Sequence, residues 1–185
     1  MHAMHRSLFL VALLLCMSLA GCTSNDASTN SGNSMSEEEK QLPEWSVGQN
    51  WLYTFITPQF GEDSARLVVA ETDNGSGEYV VGISSEREAQ RHAVINHNPF
   101  LGRMTIDALA VYENGEPQQV FSFPWNVGDA WTFTLFEQEW DAQTVSLQNG
   151  NAQIEAESSE GHELTYTFSG SKGFLERLVW RDADG

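Results

Sequence analysis

A ten-residue phrase occurs twice in this chain, and the repeat restricts the fold more than any other feature. One copy runs from Trp45 to Thr54 and the other from Trp125 to Thr134, and both fit the pattern W-x-V-G-x-x-W-x-[YF]-T. In each copy a glycine precedes a run of aromatic and β-branched residues, which predicts a turn followed by a strand. Two such copies predict one β-rich domain built from two related halves.

A second shared phrase extends this repeat. The pattern F-L-x-R-[ML] begins at Phe100 and again at Phe174. The halves are therefore predicted to cover about residues 44–107 and 124–182 of a single domain, residues 43–182. We expect roughly nine or ten antiparallel strands, arranged as a strongly curved sheet, an open barrel or a sandwich.

Several segments between the repeated phrases have their own predictions. Ser85 and Glu88 have the spacing of a capping box, and the residues up to Ile95 favour helix, so one short helix is expected there. One strand is predicted to continue as far as Tyr112, and another to cover Gln118 to Phe123, with a turn between them.

The amino terminus has the three regions of a signal peptide. Arg6 precedes an apolar run over residues 8–20, which is too short to span a bilayer, and the run ends in Leu19-Ala20-Gly21-Cys22. That ending resembles the lipobox of prolipoproteins. The resemblance implies that residues 1–21 are removed and that Cys22 carries acyl chains, two of which suffice for stable attachment. A plain signal peptide with an incidental cysteine and a short membrane anchor are the alternatives.

The segment after Cys22 is polar and acidic. Residues 22–42 contain serine, asparagine, threonine and three consecutive glutamates, with almost no apolar side chain. Such a composition predicts a disordered tether, because little apolar burial offsets the entropy of ordering. The expected location is the extracytoplasmic face of a membrane, either at the cell surface or in the periplasm.

The charge and the cysteines exclude several classes of function. The chain has 26 acidic and 9 basic side chains, a net charge of −17, which argues against a nucleic-acid partner. Cys16 and Cys22 are the only cysteines, so the body has no disulfide framework and no thiolate metal site. His92 and His97 lack the i, i+4 spacing of a helical zinc site. No cofactor, metal or catalytic residue is predicted.

Two aromatic stripes are the candidate binding residues. Trp51 and Tyr53 share one face of the first predicted strand, and Trp131 and Phe133 share one face of its counterpart. They are candidates to line a ligand site, and packing in the core is the alternative interpretation.

The sequence leaves two classes of function open. The first is a non-enzymatic envelope lipoprotein that holds an apolar ligand inside its sheet or contacts an envelope protein. The W-x-V-G-x-x-W phrase resembles the openings of uncharacterised secreted and lipid-anchored β proteins, which implies location and fold class only. The alternative is an envelope hydrolase that uses His92 or His97 with a nearby carboxylate, although the nucleophile-elbow motif G-x-S-x-G is absent. The oligomeric state is not predicted.

Overall fold

A computed structural model describes residues 42–58, 61–84 and 98–184 of the chain. Cys22, the tether up to residue 41, and the segment predicted to form the short helix, residues 85–95, lie outside the described residues. Within the described ranges the chain is mainly β and forms two antiparallel sheets, with neither a helix nor a closed barrel. The prediction of an antiparallel β-rich fold is confirmed.

The first sheet has six strands, and consecutive strands are neighbours throughout. Its order is β1-β2-β3-β4-β5-β6. The strands are β1 (Asn50–Thr57), β2 (Gly61–Asp73), β3 (Glu78–Ile83), β4 (Gly102–Thr105), β5 (Val111–Glu113) and β6 (Glu116–Gln118). The chain therefore builds this sheet by folding back on itself step by step, which makes most of its pairings local in sequence.

The second sheet has five strands and follows the same rule, in the order β11-β10-β9-β8-β7. Its strands are β7 (Ala130–Leu135), β8 (Gln138–Gln148), β9 (Asn151–Ser158), β10 (Glu163–Ser169) and β11 (Phe174–Arg181). Alternate side chains of β9 are buried, which is the pattern of a strand with one face on the core and one face in water.

The two copies of the repeated phrase have the same local geometry. Gly48 and Gly128 have φ angles of +90° and +93°. Their backbone N–H groups donate to the carbonyl oxygens of Val69 and Thr144, each at 2.8 Å. The pairing register of β2 with β3 shifts just after Val69, and that of β8 with β9 shifts just after Thr144. Val69 and Thr144 are therefore equivalent positions in the two sheets.

The two F-L-x-R segments do not hold equivalent positions. Phe100 and Leu101 lead into β4, the fourth strand of its sheet, whereas Phe174 begins β11, the fifth strand of the other sheet. The shared letters therefore do not mark corresponding ends of two halves.

Eleven strands are present in the described ranges, and two of them, β4 and β5, divide one predicted strand. A loop separates β4 from β5, closed by hydrogen bonds from Leu109 N to Thr105 O and from Thr105 N to Ala110 O, both 3.0 Å. Leu109 has a positive φ of +50° and is fully buried in this loop. The strand predicted to continue as far as Tyr112 therefore ends at Thr105, and the chain pairs again only at Val111.

The predicted strand over Gln118 to Phe123 is wrong. Strand β6 ends at Gln118, and residues 119–129 connect the two sheets without strand pairing. The reason is the packing of Phe121, which is fully buried and contacts the rings of Tyr166 and Phe168 in the second sheet. Its side chain packs in the core between the sheets, and the backbone around it does not pair with a neighbouring strand.

One hydrophobic core contains residues of both sheets. At its centre the ring of Phe174 is surrounded by five other rings, with centroid separations of 4.8 to 6.2 Å. These rings belong to Trp45, Trp51, Tyr53, Phe100 and Phe121. A side-chain hydrogen bond also stabilises the contact between Trp45 and Phe174, because the indole N–H of Trp45 donates to Gly173 O at 2.8 Å.

Candidate functional site

The four sequence-predicted ligand residues lie in two separate places. Trp51 is buried against Phe174 and donates its indole N–H to Lys172 O at 2.9 Å. Tyr53 is partly buried and donates its hydroxyl to Leu175 O at 2.6 Å, and burial raises the pKa of its phenol. Trp51 and Tyr53 thus belong to the ring cluster around Phe174, where neighbouring rings occupy the space beside them.

Trp131 and Phe133 lie on the second sheet. Phe133 is buried in the core, and the half-buried Trp131 lies 6.2 Å from Trp125, centroid to centroid. This pair therefore lies on a different sheet from Trp51 and Tyr53, while all four side chains belong to or pack against one core.

His92, His97 and Cys22, on which the hydrolase alternative and the lipid anchor depend, lie outside the described residues.

A polar group on the first sheet joins three strands. Glu78 Oε1 accepts a hydrogen bond of 2.6 Å from the Tyr112 hydroxyl, and Arg103 Nη1 lies 3.5 Å from the same oxygen. The Tyr112 hydrogen bond lowers the pKa of Glu78 and raises the pKa of Tyr112. Because the carboxylate already accepts from its neighbours, this group ties β3, β4 and β5 together and offers no free general base.

A shallow depression of about 430 Å³ lies beside this group. It is lined by Asn74, Ser76, Gly77, Thr105, Ile106 and Asp107. Within the described ranges, no cluster of three metal-ligating side chains occurs there or elsewhere. No helix of sufficient length and apolarity to traverse a bilayer is found in those ranges either.

An aromatic cluster at one end of the second sheet is the more distinctive surface feature. Trp180 on β11 is 42 % exposed, and it is the most exposed of the six tryptophans. Its ring stacks on Phe136 with a centroid distance of 5.2 Å and an interplanar angle of 11°. The ring of the buried Trp140 meets it edge-on at 6.4 Å, and the ring of His162 lies 6.0 Å away. We call Phe136, Trp140, His162 and Trp180 the Trp180 cluster.

Phe136 reaches Trp180 through a turn of unusual sequence. Phe136 and Glu137 form the two-residue connection between β7 and β8, with φ angles of +56° and +62°. Such turns favour Asn-Gly, because both residues need a positive φ. In the described part of the chain, the other two-residue turns with this geometry are Asn114-Gly115 and Asn149-Gly150. The Phe136-Glu137 turn is held by a 2.9 Å hydrogen bond from Glu137 N to Glu113 Oε1.

His162 connects the cluster to an acidic rim. Its Nε2 lies 3.5 Å from Glu160 Oε2, and Glu160 is itself 72 % exposed. Glu137 and Asp182 are also exposed, one in the turn that carries Phe136 and the other two residues after Trp180. The nearest cation in sequence, Arg181, pairs with Glu163 at 3.4 Å. Three exposed carboxylates therefore adjoin the Trp180 cluster, one through His162 and two by their position in the chain next to Phe136 and Trp180.

Several buried polar atoms of the second sheet have no hydrogen-bond partner in the described part of the chain. They are Trp131 Nε1, Gln138 Oε1, Thr144 Oγ1 and His162 Nδ1. Gln138 and Thr144 stand at every second position of β8 together with the buried Trp140 and Ala142, so their side chains lie on the same inward face of the strand. Unpaired buried groups are uncommon, and each indicates a local cost in stability.

Sequence reasoning missed the Trp180 cluster. Neither His162 nor Trp180 is among the residues that the sequence predicts to form a site. A signal was nevertheless present, since Phe136-Glu137 stands where a tight hairpin turn normally has Asn-Gly.

Comparison with known proteins adds no assignment, since no protein-family model, no curated protein and no solved structure matches this chain.

Proposed function

We propose that this chain is a lipid-anchored binding module on the extracytoplasmic face of a membrane, where its β domain contacts an envelope protein. Two features support the proposal. The lipobox-like ending at Cys22 implies acyl chains at the mature amino terminus, and the acidic tether after it is repelled by an anionic bilayer and keeps the domain away from the surface.

The packing around Phe174 is the observation that favours protein contact over an enclosed ligand. A carrier of apolar ligands needs a cavity of several hundred Å³ lined by apolar side chains. Here five rings surround Phe174 at 4.8 to 6.2 Å, between the two sheets where such a ligand would lie. This packing supports recognition of a partner at the surface of the domain.

Metabolic labelling with radioactive palmitate, combined with membrane fractionation, tests the lipid anchor. We expect label and membrane association in the unmodified chain and in Cys16→Ser, and loss of both in Cys22→Ser. Cys16→Ser is the matched control, since Cys16 lies within the apolar run and outside the lipobox. Label or membrane association that persists in Cys22→Ser would refute the anchor.

Organic extraction of the purified protein followed by mass spectrometry tests whether the domain encloses an apolar ligand. We expect no apolar molecule at a stoichiometric ratio to the protein. A stoichiometric lipid would instead support the carrier function.

A further inference from the structure

The indole of Trp180 is the exposed aromatic surface on which a further inference rests. Trp45, Trp51, Trp125 and Trp140 are all less than 10 % exposed, whereas Trp180 is 42 % exposed. Phe136 covers one face of its ring in nearly parallel contact, and two further rings approach it edge-on. These contacts fix the orientation of the indole, so that a ligand would not have to order it on binding.

The charge around this ring is the second observation. Glu160 Oε2 lies 3.5 Å from Nε2 of His162, whose ring packs against Trp180. Glu137 and Asp182 add two more exposed carboxylates, and the chain as a whole has a net charge of −17. An aromatic face attracts cations through its quadrupole, tryptophan most strongly, and the surrounding carboxylates add Coulomb attraction of the same sign.

We propose that the open part of the Trp180 ring and its acidic rim bind an arginine side chain of a partner polypeptide. A planar guanidinium stacks on an aromatic ring and donates hydrogen bonds to a carboxylate at its edge. Trp180 offers the ring, and Glu160, which His162 connects to it, offers the carboxylate. A lysine ammonium matches the charge but not the planar shape. The inference rests on the proposed function only in treating the domain as a binding module for a protein.

Titration with short peptides tests the proposal on the full chain, kept in a polyoxyethylene detergent that has neither a charged nor a sugar head group. The probes are the acetylated and amidated tripeptide glycine-arginine-glycine and its lysine and citrulline analogues. Citrulline is the matched control, because it keeps the shape of arginine and lacks its charge. Backbone amide and indole N–H signals report binding by nitrogen–proton correlation spectroscopy, and the amide signals give the affinity of variants that lack Trp180. Trp180→Phe assigns the Trp180 indole signal.

We expect the arginine peptide to shift the Trp180 signal saturably, the lysine peptide to bind more weakly, and the citrulline peptide to bind least. Added salt should weaken the binding of the arginine peptide. Trp180→Leu should reduce the affinity by roughly two- to fivefold, the value of a cation–π contact at an exposed site. Trp131→Phe, which changes a half-buried ring elsewhere on the sheet, should bind like the unmodified chain.

Glu160→Gln keeps the test valid if Trp180→Leu does not fold, because it alters only an exposed carboxylate of the rim, and it should also weaken arginine binding. The proposal is overturned if citrulline binds as tightly as arginine, or if folded Trp180→Leu and Glu160→Gln both bind unchanged. It is likewise overturned if the neutral sugar chitotriose shifts the Trp180 signal and the arginine peptide does not, since the ring would then be a carbohydrate site. No result depends on lipidation, so this test and the Cys22→Ser test can fail separately.

Discussion

Thr144→Val is the substitution for which the structure gives the sharpest expectation. Thr144 and Val69 are equivalent positions, since each carbonyl accepts the glycine N–H of its W-x-V-G turn and each precedes a shift of register. Both side chains are fully buried. They differ in that Thr144 has a hydroxyl, and its Oγ1 lacks a hydrogen-bond partner in the described part of the chain. Valine at this position keeps the branched shape and removes the unpaired oxygen.

The expected gain in stability follows from the cost of that oxygen. Leaving a buried polar group unpaired costs about 1–3 kcal/mol, and the methyl that replaces it packs at no such cost. We expect Thr144→Val to raise the free energy of unfolding by about 1–2 kcal/mol. For a domain of this size each kcal/mol corresponds to roughly 2–4 °C in Tm. Val69→Thr should lower the free energy of unfolding by a similar amount.

Urea unfolding followed by circular dichroism measures both changes, with Thr132→Val as the control. Thr132 lies on the exposed face of β7, so its replacement tests the general preference of a strand for valine. The control should change the free energy of unfolding by less than about 0.5 kcal/mol. A Thr144→Val chain that is no more stable than the control would refute the reasoning, and would indicate that Oγ1 is satisfied by a buried water.

Three further predictions concern the turns and the polar group of the first sheet. Gly48→Ala and Gly128→Ala should each lower the free energy of unfolding by about 1–2 kcal/mol, because both glycines have φ near +90°. An added Cβ meets no atom within 4 Å at either position, so backbone strain is the expected cause. Markedly unequal costs in urea titrations would contradict the shared geometry. Glu78→Gln should destabilise the protein at neutral pH. The Tyr112 hydroxyl lowers the pKa of Glu78 in the folded protein, so the stability that this carboxylate contributes, and with it the difference from the unmodified chain, should shrink as the pH falls below 4.5, the ordinary pKa of that carboxyl. A difference that does not depend on pH would be inconsistent with this cause. Replacing Phe136-Glu137 by Asn-Gly should raise Tm and weaken binding of the arginine peptide, whereas a lower Tm would mean that the turn is not strained.

The local geometry of the repeated phrase was within reach of the sequence. A glycine before an aromatic strand predicts a turn with positive φ, and Gly48 and Gly128 have it. The Asn-Gly turns at residues 114–115 and 149–150 follow from the same backbone preference. The alternation of apolar and polar residues in β9 and β10 likewise matches their buried faces, because a period of two is a property of the strand itself.

Features that depend on distant contacts were not predictable from local patterns. Phe121 lies in a stretch rich in apolar residues that reads as a strand, and only its packing against Tyr166 and Phe168 explains why it does not pair. The Trp180 cluster depends on the placement of the β7–β8 turn against β11, the far strand of the same sheet. No spacing in the sequence joins Phe136 to Trp180, which are 44 residues apart in the printed numbering.

The energetics of the Phe136-Glu137 turn bear on why these residues are present. Two residues with side chains in the left-handed region cost roughly 1–2 kcal/mol each, whereas an aromatic pair contributes about 0.5–1.5 kcal/mol beyond its burial. The hydrogen bond from Glu137 N to Glu113 does not alter this balance, because glycine at that position would keep the same N–H. The stacking contribution alone is therefore smaller than the strain of the turn, and the partial burial of the Phe136 side chain against the core adds to it. Natural chains break a local rule of this kind mainly at functional sites, which is consistent with a ring placed beneath Trp180 for recognition.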